Sequence, residues 1–141
     1  MAQQRVIDKC FAAVVRHDPR ACSFIERVVD EELGEGTKLV FRTYATLFFI
    51  LAADDTESEL GLLDLIQILV EALDKRFENV CELDIVFNAT TVHFILDELI
   101  VGGLVAETNQ NQVLKAVRDM EDYTKATEWS LKNSRASSTL R

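Results

Sequence analysis

Residues 56–88 constrain the fold most, because they predict one long, mostly apolar helix, an abrupt stop and a second helix. The segment is TESELGLLDLIQILVEALDKRFENVCELDIVFN, and the stop falls at FENVCE. The polar positions of the first helix form one narrow stripe: Gly61, Asp64, Gln67, Glu71, Asp74, Lys75 and Glu78. Nearly every other position is apolar, so we expect roughly two-thirds of the helix circumference to be buried.

Two strands are predicted before this helix, at residues 38–44 and 45–53, which are rich in β-branched and aromatic residues. The second strand carries apolar side chains on both faces, among them Phe48, Phe49 and Ile50. A strand that is apolar on both faces is covered on both faces, so we expect helices to sandwich the sheet. A shorter strand is predicted within residues 23–29, and a glycine-rich turn at residues 32–36.

The rest of the chain is predicted to be mainly helical. An amphipathic helix covers residues 3–17, a third helix runs from about residue 82 to Ile100 with Gly102-Gly103 as its stop, and a last helix covers residues 111–124. Thr56 and Glu59 have the spacing of a capping box at the start of the long helix. Residues 125–141 are polar, and we expect a flexible tail. The pattern favours an α+β fold with an antiparallel sheet.

Composition and charge exclude several classes of function. The chain has 141 residues, enough for one modest domain, and a net charge of −9. Binding to nucleic acid, or directly to anionic lipid, requires a basic face, which a chain of this negative charge is not expected to have. No apolar run reaches the ~20 residues that span a bilayer, the N-terminus does not resemble a signal peptide, and the odd number of cysteines fits reduced thiols. We therefore expect a cytoplasmic protein.

No arrangement of residues predicts catalysis. His17 and His93 lie far apart in sequence, Cys10, His17 and Cys22 lack zinc-site spacing, and there is no phosphate-binding glycine loop. We expect no enzyme activity, no metal and no cofactor. Residues 54–98 contain twelve acidic and two basic residues. This acidic surface is either a solvated face or a docking surface for a basic partner, and the sequence leaves both interpretations open.

Two segments, FRTYATLFF (residues 41–49) and VEALDKRFENVCELDIVFN (residues 70–88), resemble signatures of the sigma, or small, subunits of the heterotetrameric clathrin-adaptor complexes. SELGLLDLIQ and VGGLVAETNQN are most similar to the small subunit of adaptor complex 3. The resemblance implies a longin-like (SNARE-like) fold over residues 1–124, an antiparallel sheet flanked by helices. The family's first two strands have no counterpart here, so we expect the strand at residues 45–53 to be an open edge.

The resemblance also implies a function. A sigma subunit packs against a large adaptin, here of the delta type, and contributes to recognising acidic dileucine signals on membrane cargo. Such a complex carries cargo from the Golgi or endosomes to the lysosome or vacuole, and the small subunit is peripheral on membranes and coated vesicles through the complex only. The alternative is a stand-alone longin-like trafficking module or GTPase-linked scaffold, which would need no adaptin.

The positions that match the family's dileucine pocket are Ala45, Leu47, Val70, Asn79, Val80, Leu83 and Ile85. By residue type alone these are ordinary core positions, and the resemblance is what assigns them to a site. An apolar cleft suits two leucines, each contributing ~1.5–3 kcal/mol when buried. Tyr44 and Phe49 match as well, with packing as the alternative role for them and for Leu83. The family's basic residue, which faces the acidic position of the signal, has no counterpart in this sequence.

Overall fold

The structure is a computed structural model that describes residues 2–18, 23–25, 33–34 and 36–138. Its elements are, in chain order, α1 (Ala2–Arg16), β1 (Phe24–Ile25), β2 (Lys38–Tyr44), β3 (Leu47–Ala53), α2 (Glu59–Phe77), α3 (Glu82–Phe87), α4 (Ala89–Leu99), β4 (Ile100–Val101), β5 (Leu104–Val105) and α5 (Gln110–Ser138). They form two compact units, Met1–Gln67 and Ile68–Arg141. The predicted α+β class, with an antiparallel sheet flanked by helices, is confirmed.

The first unit contains a three-stranded antiparallel sheet in the order β1-β2-β3. Seven consecutive residues of β2 pair with seven of β3, and Thr43 lies opposite Phe48. On the side away from β3, β2 pairs with β1 through Phe24 and Ile25. Among the described residues β3 pairs with β2 alone.

Helix α1 lies on one face of this sheet. The ring of Phe11 meets that of Phe48 edge to face at a centroid distance of 5.7 Å, and His17 meets Phe41 at 5.6 Å in the same way. Phe41 and Phe48 share this face because side chains alternate along a strand and the two strands are in register. Val14 of α1 is buried, whereas its neighbour Val15 is exposed.

The first half of α2 contacts the opposite face. Gln67 Oε1 accepts hydrogen bonds from the hydroxyl of Tyr44 at 2.6 Å and from Arg42 Nη1 at 3.1 Å. Lys38, at the start of β2, is buried, and its ammonium donates to Glu59 Oε1 at 2.9 Å. The sheet is therefore covered by helices on both faces, as the two-sided apolar pattern predicted.

The second unit has a helical core. Leu73, Ile95, Leu99, Val113 and Val117, which come from α2, α4 and α5, are fully buried. The same three helices meet at one carboxylate: Glu121 of α5 accepts hydrogen bonds from Arg76 at 3.0 Å and from the hydroxyl of Thr91 at 2.5 Å. A shared polar partner fixes the helices relative to one another more specifically than apolar packing alone.

The predicted third helix is wrong in its continuity. It is two helices, α3 and α4, separated at Asn88, whose backbone is non-helical with φ −116° and ψ 36°. The Asn88 side chain donates to the Asp84 carbonyl at 2.9 Å, and asparagine competes in this way with the helical hydrogen-bond ladder. Gly102-Gly103 does not end a helix: both residues have positive φ and form the two-residue turn of the β4–β5 hairpin.

The start of α2 and the end of α5 also differ from the predicted bounds. Helix α2 begins at Glu59, and the residue before it, Ser58, caps it by accepting a hydrogen bond from the Gly61 amide at 3.3 Å. The Thr56–Glu59 capping box is therefore not formed, since Glu59 binds Lys38 instead. Helix α5 continues through Ser138 into the segment expected to be a polar tail, because no glycine or proline interrupts it.

Parts of two predictions lie outside the described residues. Of the strand expected within residues 23–29, the structure describes residues 23–25, where β1 occurs. Of the turn at residues 32–36, it describes Leu33, Gly34 and Gly36, and both glycines have a φ of 85°. Such positive φ angles favour glycine, so the residue types there agree with a turn.

Candidate functional site

The first group of predicted site residues lies at the β2–β3 hairpin of the first unit. Ala45 is the first residue of the two-residue turn, is exposed, and has a φ of 52°. Leu47 opens β3 opposite Tyr44 and is half-buried. The Tyr44 ring meets that of Phe49 edge to face at 5.7 Å while its hydroxyl binds Gln67. Tyr44 and Phe49 thus pack within the sheet, which fits the alternative role stated for them.

The second group lies on α2 and the connection from α2 to α3, in the second unit. Val70 is half-buried on α2, Asn79 is exposed in the connection, and Val80 is half-buried directly after it. Leu83 and Ile85 belong to α3, where Leu83 is exposed and Ile85 is half-buried. The side chains are therefore more accessible than core residues, as a binding surface requires.

Two carboxylates hold the α2–α3 connection. Asp74, in the last turn of α2, accepts a hydrogen bond from the Val80 amide at 3.2 Å. Asp84, in the first turn of α3, accepts one from the Cys81 amide at 3.0 Å. Two successive residues, Glu78 and Asn79, have positive φ angles of 53° and 73°, which reverse the chain direction after the helix. The bend is thus fixed by side chains on both sides of it.

Backbone strain coincides with the predicted site. Three non-glycine residues among those described have a positive φ, namely Ala45, Glu78 and Asn79, and two of them are predicted site residues. A left-handed backbone costs an ordinary residue roughly 1–2 kcal/mol, and such strain is concentrated at ligand sites. Each group is internally close, one along a single hairpin and the other along a single helix connection, and the two groups belong to different compact units.

Helix α3 carries an exposed apolar stripe that was not predicted from the sequence. Leu83, Val86 and Phe87 are 62%, 69% and 79% exposed. Their spacing of three and four residues places them on one side of the helix. The break at Asn88 could have revealed them. It leaves α3 only six residues long, and the apolar stripe of so short a helix has to be covered by another surface.

Two ionisable side chains of the second unit, His93 and Glu121, have partners within the protein. His93 lies within hydrogen-bonding distance of the Ala89 carbonyl in its own helix, at 2.6 Å from Nδ1. Burial opposes ionisation of Glu121, but hydrogen bonds from Thr91 and Arg76 outweigh it and hold the pKa of Glu121 below 4.5. That carboxylate therefore serves the helical core. In the described ranges no three acidic, histidine or cysteine side chains cluster as metal ligands would, and no helix there is both long and apolar enough to cross a membrane.

Comparisons with known proteins are consistent over most of the chain. The profile of a family described as clathrin adaptor complex small chain matches residues 1–124. AP-3 complex subunit sigma-2 of Homo sapiens is 46% identical over 117 residues, which are 82% of this chain. AP-3 complex subunit sigma of Dictyostelium discoideum is 51% identical over 108 residues, or 76% of this chain. The same subunit of Schizosaccharomyces pombe is 46% identical over 123 residues, or 87% of this chain.

The fold is similar to a chain in a homology model of the full-length AP-3 complex in a stretched open conformation. The TM-score is 0.64 at 31% identity, over 91% of this chain and 83% of that one. The aligned residues span 59% of the human relative, 63% of the Dictyostelium protein and 73% of the yeast protein. This chain thus corresponds to less than two-thirds of the human relative's length, and the similarity confirms the longin-like fold.

Proposed function

We infer the function from one established fact: this chain belongs to the clathrin adaptor complex small chain family. We propose that it is the small subunit of an AP-3-type adaptor complex, with no catalytic role. The observation that supports this is its 43–51% identity to AP-3 sigma subunits from animals, fungi, a plant and an amoeba. In this role it acts in vesicle-mediated transport of proteins from the Golgi or endosomes to the lysosome or vacuole, on the cytoplasmic side of the membrane.

The partner we propose is a large adaptin of the delta type. The α3 stripe favours such a partner because, apart from Leu83, which is assigned below to the signal site, Val86 and Phe87 are two large apolar side chains left in water. Fully burying each contributes ~1.5–3 kcal/mol, so a protein surface that covers them gains several kcal/mol. A stand-alone module would leave this stripe uncovered, and contiguous exposed apolar patches on soluble proteins typically mark interaction surfaces.

The partner proposal is tested by co-expressing the chain with the large adaptin of an AP-3-type complex and measuring how much adaptin is co-purified. Phe87→Lys places a charge in the stripe and should lower capture by tenfold or more. The matched control is Leu131→Lys, which makes the same kind of change at an exposed apolar residue of α5. Capture that is equal for both variants would contradict docking through the stripe, and absence of capture by the unaltered chain would contradict the adaptin partner itself.

We further propose that the assembled complex binds acidic dileucine signals through Ala45, Leu47, Val70, Asn79, Val80, Leu83 and Ile85. Two features support this. The valine, leucine and isoleucine side chains in this set are partly accessible, so they can contact leucines of a ligand. Asn79 presents an exposed amide from a fixed bend, and an amide can both donate to and accept from the backbone of an extended peptide.

The negative charge of the chain means that a site for an acidic peptide also needs a positively charged group. The chain has a net charge of −9, so an acidic peptide is repelled unless a base faces it. No residue here matches the family's base, and Arg42 already donates to Gln67. We therefore propose that a positive charge faces the acidic residue of the peptide in the assembled complex. Replacing that acidic residue by alanine should weaken binding of the peptide to the complex.

The pocket proposal is tested in an assembled complex with a fluorescent dileucine peptide. Val70→Ser removes apolar contact area at a half-buried position and should raise the Kd about tenfold, which corresponds to about 1.4 kcal/mol. Val92→Ser, at a half-buried valine of α4 outside the proposed site, is the matched control. A peptide in which both leucines are alanine gives the background. Unchanged binding by Val70→Ser would contradict the pocket assignment without affecting membership of the complex.

A further inference from the structure

The second half of α5 differs in charge from the rest of the chain. Residues 125–141 contain four basic residues and one acidic residue, so this segment has a net charge of +3, against −12 for residues 1–124. From residue 129 onward the sequence has three basic residues and no acidic one. The net charge of −9 predicts no basic face, but this segment is a local exception to that prediction.

This half of α5 also lies outside the helical core of the second unit. The buried residues of the helix end at Val117, and the Glu121 carboxylate is where α5 joins α2 and α4 through hydrogen bonds. Every residue from 122 to 131 is exposed, and the helix continues to Ser138. At ~1.5 Å per residue, the helix runs about 25 Å past Glu121, whereas salt screens exposed charges beyond ~8 Å. The acidic remainder of the chain therefore has little electrostatic effect on the end of α5.

One side of α5 carries basic residues next to an exposed aromatic ring. Arg118, Lys125 and Trp129 are exposed, the lysine side chain by 75% and the tryptophan by 69%. Their spacings of seven and four residues place them on the same side of a helix, which we call the α5 basic stripe. Asp122 lies on this side too, and its carboxylate is 4.0 Å from the Lys125 ammonium. Both members of this pair are largely in water, so the pair is weak and leaves the lysine available to a ligand.

We propose that the α5 basic stripe binds the surface of a membrane that contains anionic phospholipid. Lysine and arginine side chains are attracted by the negative potential of such a surface, and each one strengthens binding about fivefold. The indole of Trp129 suits the headgroup layer, because it combines a large apolar ring with an N–H group that needs a polar partner. Helices with lysine, arginine and tryptophan in this combination lie in the plane of the membrane interface.

A bilayer fits the stripe better than an acidic protein does. The basic residues of α5 and the segment after it are spread along the chain from residue 118 to residue 141. A bilayer presents anionic headgroups along this whole length, whereas a protein needs acidic residues at matching positions. Tyr123 is 74% exposed as well, and an acidic protein surface offers no apolar layer for two aromatic rings.

This contact goes beyond the proposed function. The resemblance to adaptor small subunits implies membrane association through the complex only, and the α5 basic stripe adds a direct contact. So few basic residues bind a bilayer weakly when alone, but in an assembled complex the contact adds to every other attachment by raising the effective concentration at the membrane. The stripe includes none of the α3 stripe and none of the residues proposed to bind dileucine signals, so the two proposals can fail separately.

The fluorescence of the full chain tests the contact directly, because Trp129 is its single tryptophan. The chain is titrated with phosphatidylcholine vesicles that contain ~30% phosphatidylserine, and with vesicles of phosphatidylcholine alone. Transfer of the indole from water to the interface should shift its emission to shorter wavelength with the anionic vesicles only. Lys125→Glu should weaken vesicle binding at least tenfold, and Asp122→Asn, which removes the acid from the stripe, should strengthen it several-fold.

The matched control is Lys75→Glu. Lys75 is an exposed lysine of α2, so this variant changes the net charge by the same amount away from the stripe and should leave vesicle binding unchanged. Capture of the large adaptin by Lys125→Glu is measured in parallel. Vesicle binding that is lost while capture is retained supports two separate surfaces, whereas loss of both would assign the stripe to adaptin and overturn the inference.

Three further results would overturn the inference. Absence of a shift with anionic vesicles excludes the contact, and an equal shift with phosphatidylcholine alone excludes a role for the basic residues. Equal weakening by Lys125→Glu and Lys75→Glu would show that only the net charge of the chain matters. A shift that soluble polyglutamate produces and vesicles do not would assign the stripe to an acidic protein instead.

Discussion

Strands β2 and β3 are neighbours of equal length whose burial is the reverse of their composition. β2 contains Lys38 and Arg42, yet its Leu39 and Val40 have no exposed surface. β3 contains only apolar residues, yet none of its seven is fully buried, and Phe48 is 40% exposed. The more apolar strand is therefore the more accessible one.

Position in the sheet explains this difference. β2 has a strand on each side and helices on both faces, so its apolar residues are enclosed and its charges need partners. Among the described residues β3 has a strand on one side only, so its side chains are less enclosed. Burial is thus decided by the number of neighbouring elements.

Truncating a leucine in each strand tests this contrast with the largest effect. Leu39→Ala should lower the free energy of unfolding by about 2–5 kcal/mol, because it opens a cavity in an enclosed position. Leu51→Ala should cost less than half as much, because Leu51 is only half-buried and water can fill the space. Urea unfolding followed by circular dichroism measures both free energies of unfolding. Equal losses would contradict the account of β2 and β3.

The polar groups of β2 give the next largest effect. Gln67→Leu removes the acceptor shared by Tyr44 and Arg42, and should lower stability by about 1–2 kcal/mol because two part-buried donors lose a partner. Tyr44→Phe in the same background should restore part of this loss, since it removes one unpaired donor. The double-mutant cycle is measured by urea unfolding, and strictly additive losses would show that the three side chains do not act together.

Glu59 makes a smaller, pH-dependent contribution. A hydrogen bond from Lys38 holds the pKa of Glu59 below its ordinary value of 4.5. The ionised carboxylate therefore stabilises the fold above pH ~4.5, and this stabilisation is lost as the pH falls through the lower folded-state pKa. Glu59→Gln should reduce the free energy of unfolding at pH 7. Below pH 4 the variant and the unaltered chain should become similar in stability. A difference that persists in acid would assign the effect to packing.

The turn between the two strands gives the smallest effect. Ala45 has a positive φ of 52°, which glycine adopts without the steric cost that alanine bears. Ala45→Gly should raise stability by ~0.5 kcal/mol, the relief of strain being partly offset by the greater freedom of glycine in the unfolded chain. Thermal unfolding measures the shift. A clear loss of stability would mean that the alanine methyl group packs in the folded protein.

The sequence predicted the parts of the fold that depend on local pattern. Residues 38–44 form β2 as predicted, and helices cover both faces of the sheet, because alternation and two-sided apolarity directly report strand environment. It failed at Asn88, Ser58 and Gly102-Gly103, where single side chains or glycine backbone angles override periodicity. The pattern also ends the last helix early: residues 125–138 are polar, as in a tail, but many of them are good helix formers and they belong to α5.

The candidate site was less accessible to prediction. Residue types at Val70 or Leu83 are indistinguishable from core, and only the resemblance to a family selected them. The structure adds their accessibility and the left-handed backbone of Ala45, which alanine rarely adopts, whereas asparagine, as at Asn79, tolerates it. The exposure of Ile7, Phe11 and Val15 in α1 was not predicted, because each directly follows a more buried apolar residue of the same helix.

The central claim, that this chain is an adaptor small subunit, is tested most directly by the mass of its assembly with the large adaptin of an AP-3-type complex. The two chains are co-expressed and passed through size exclusion with light scattering, with a full-length AP-3 sigma subunit as the positive control. We predict a stable one-to-one complex of this chain with the large adaptin. A chain that elutes apart from the adaptin, while the control assembles, would contradict the account.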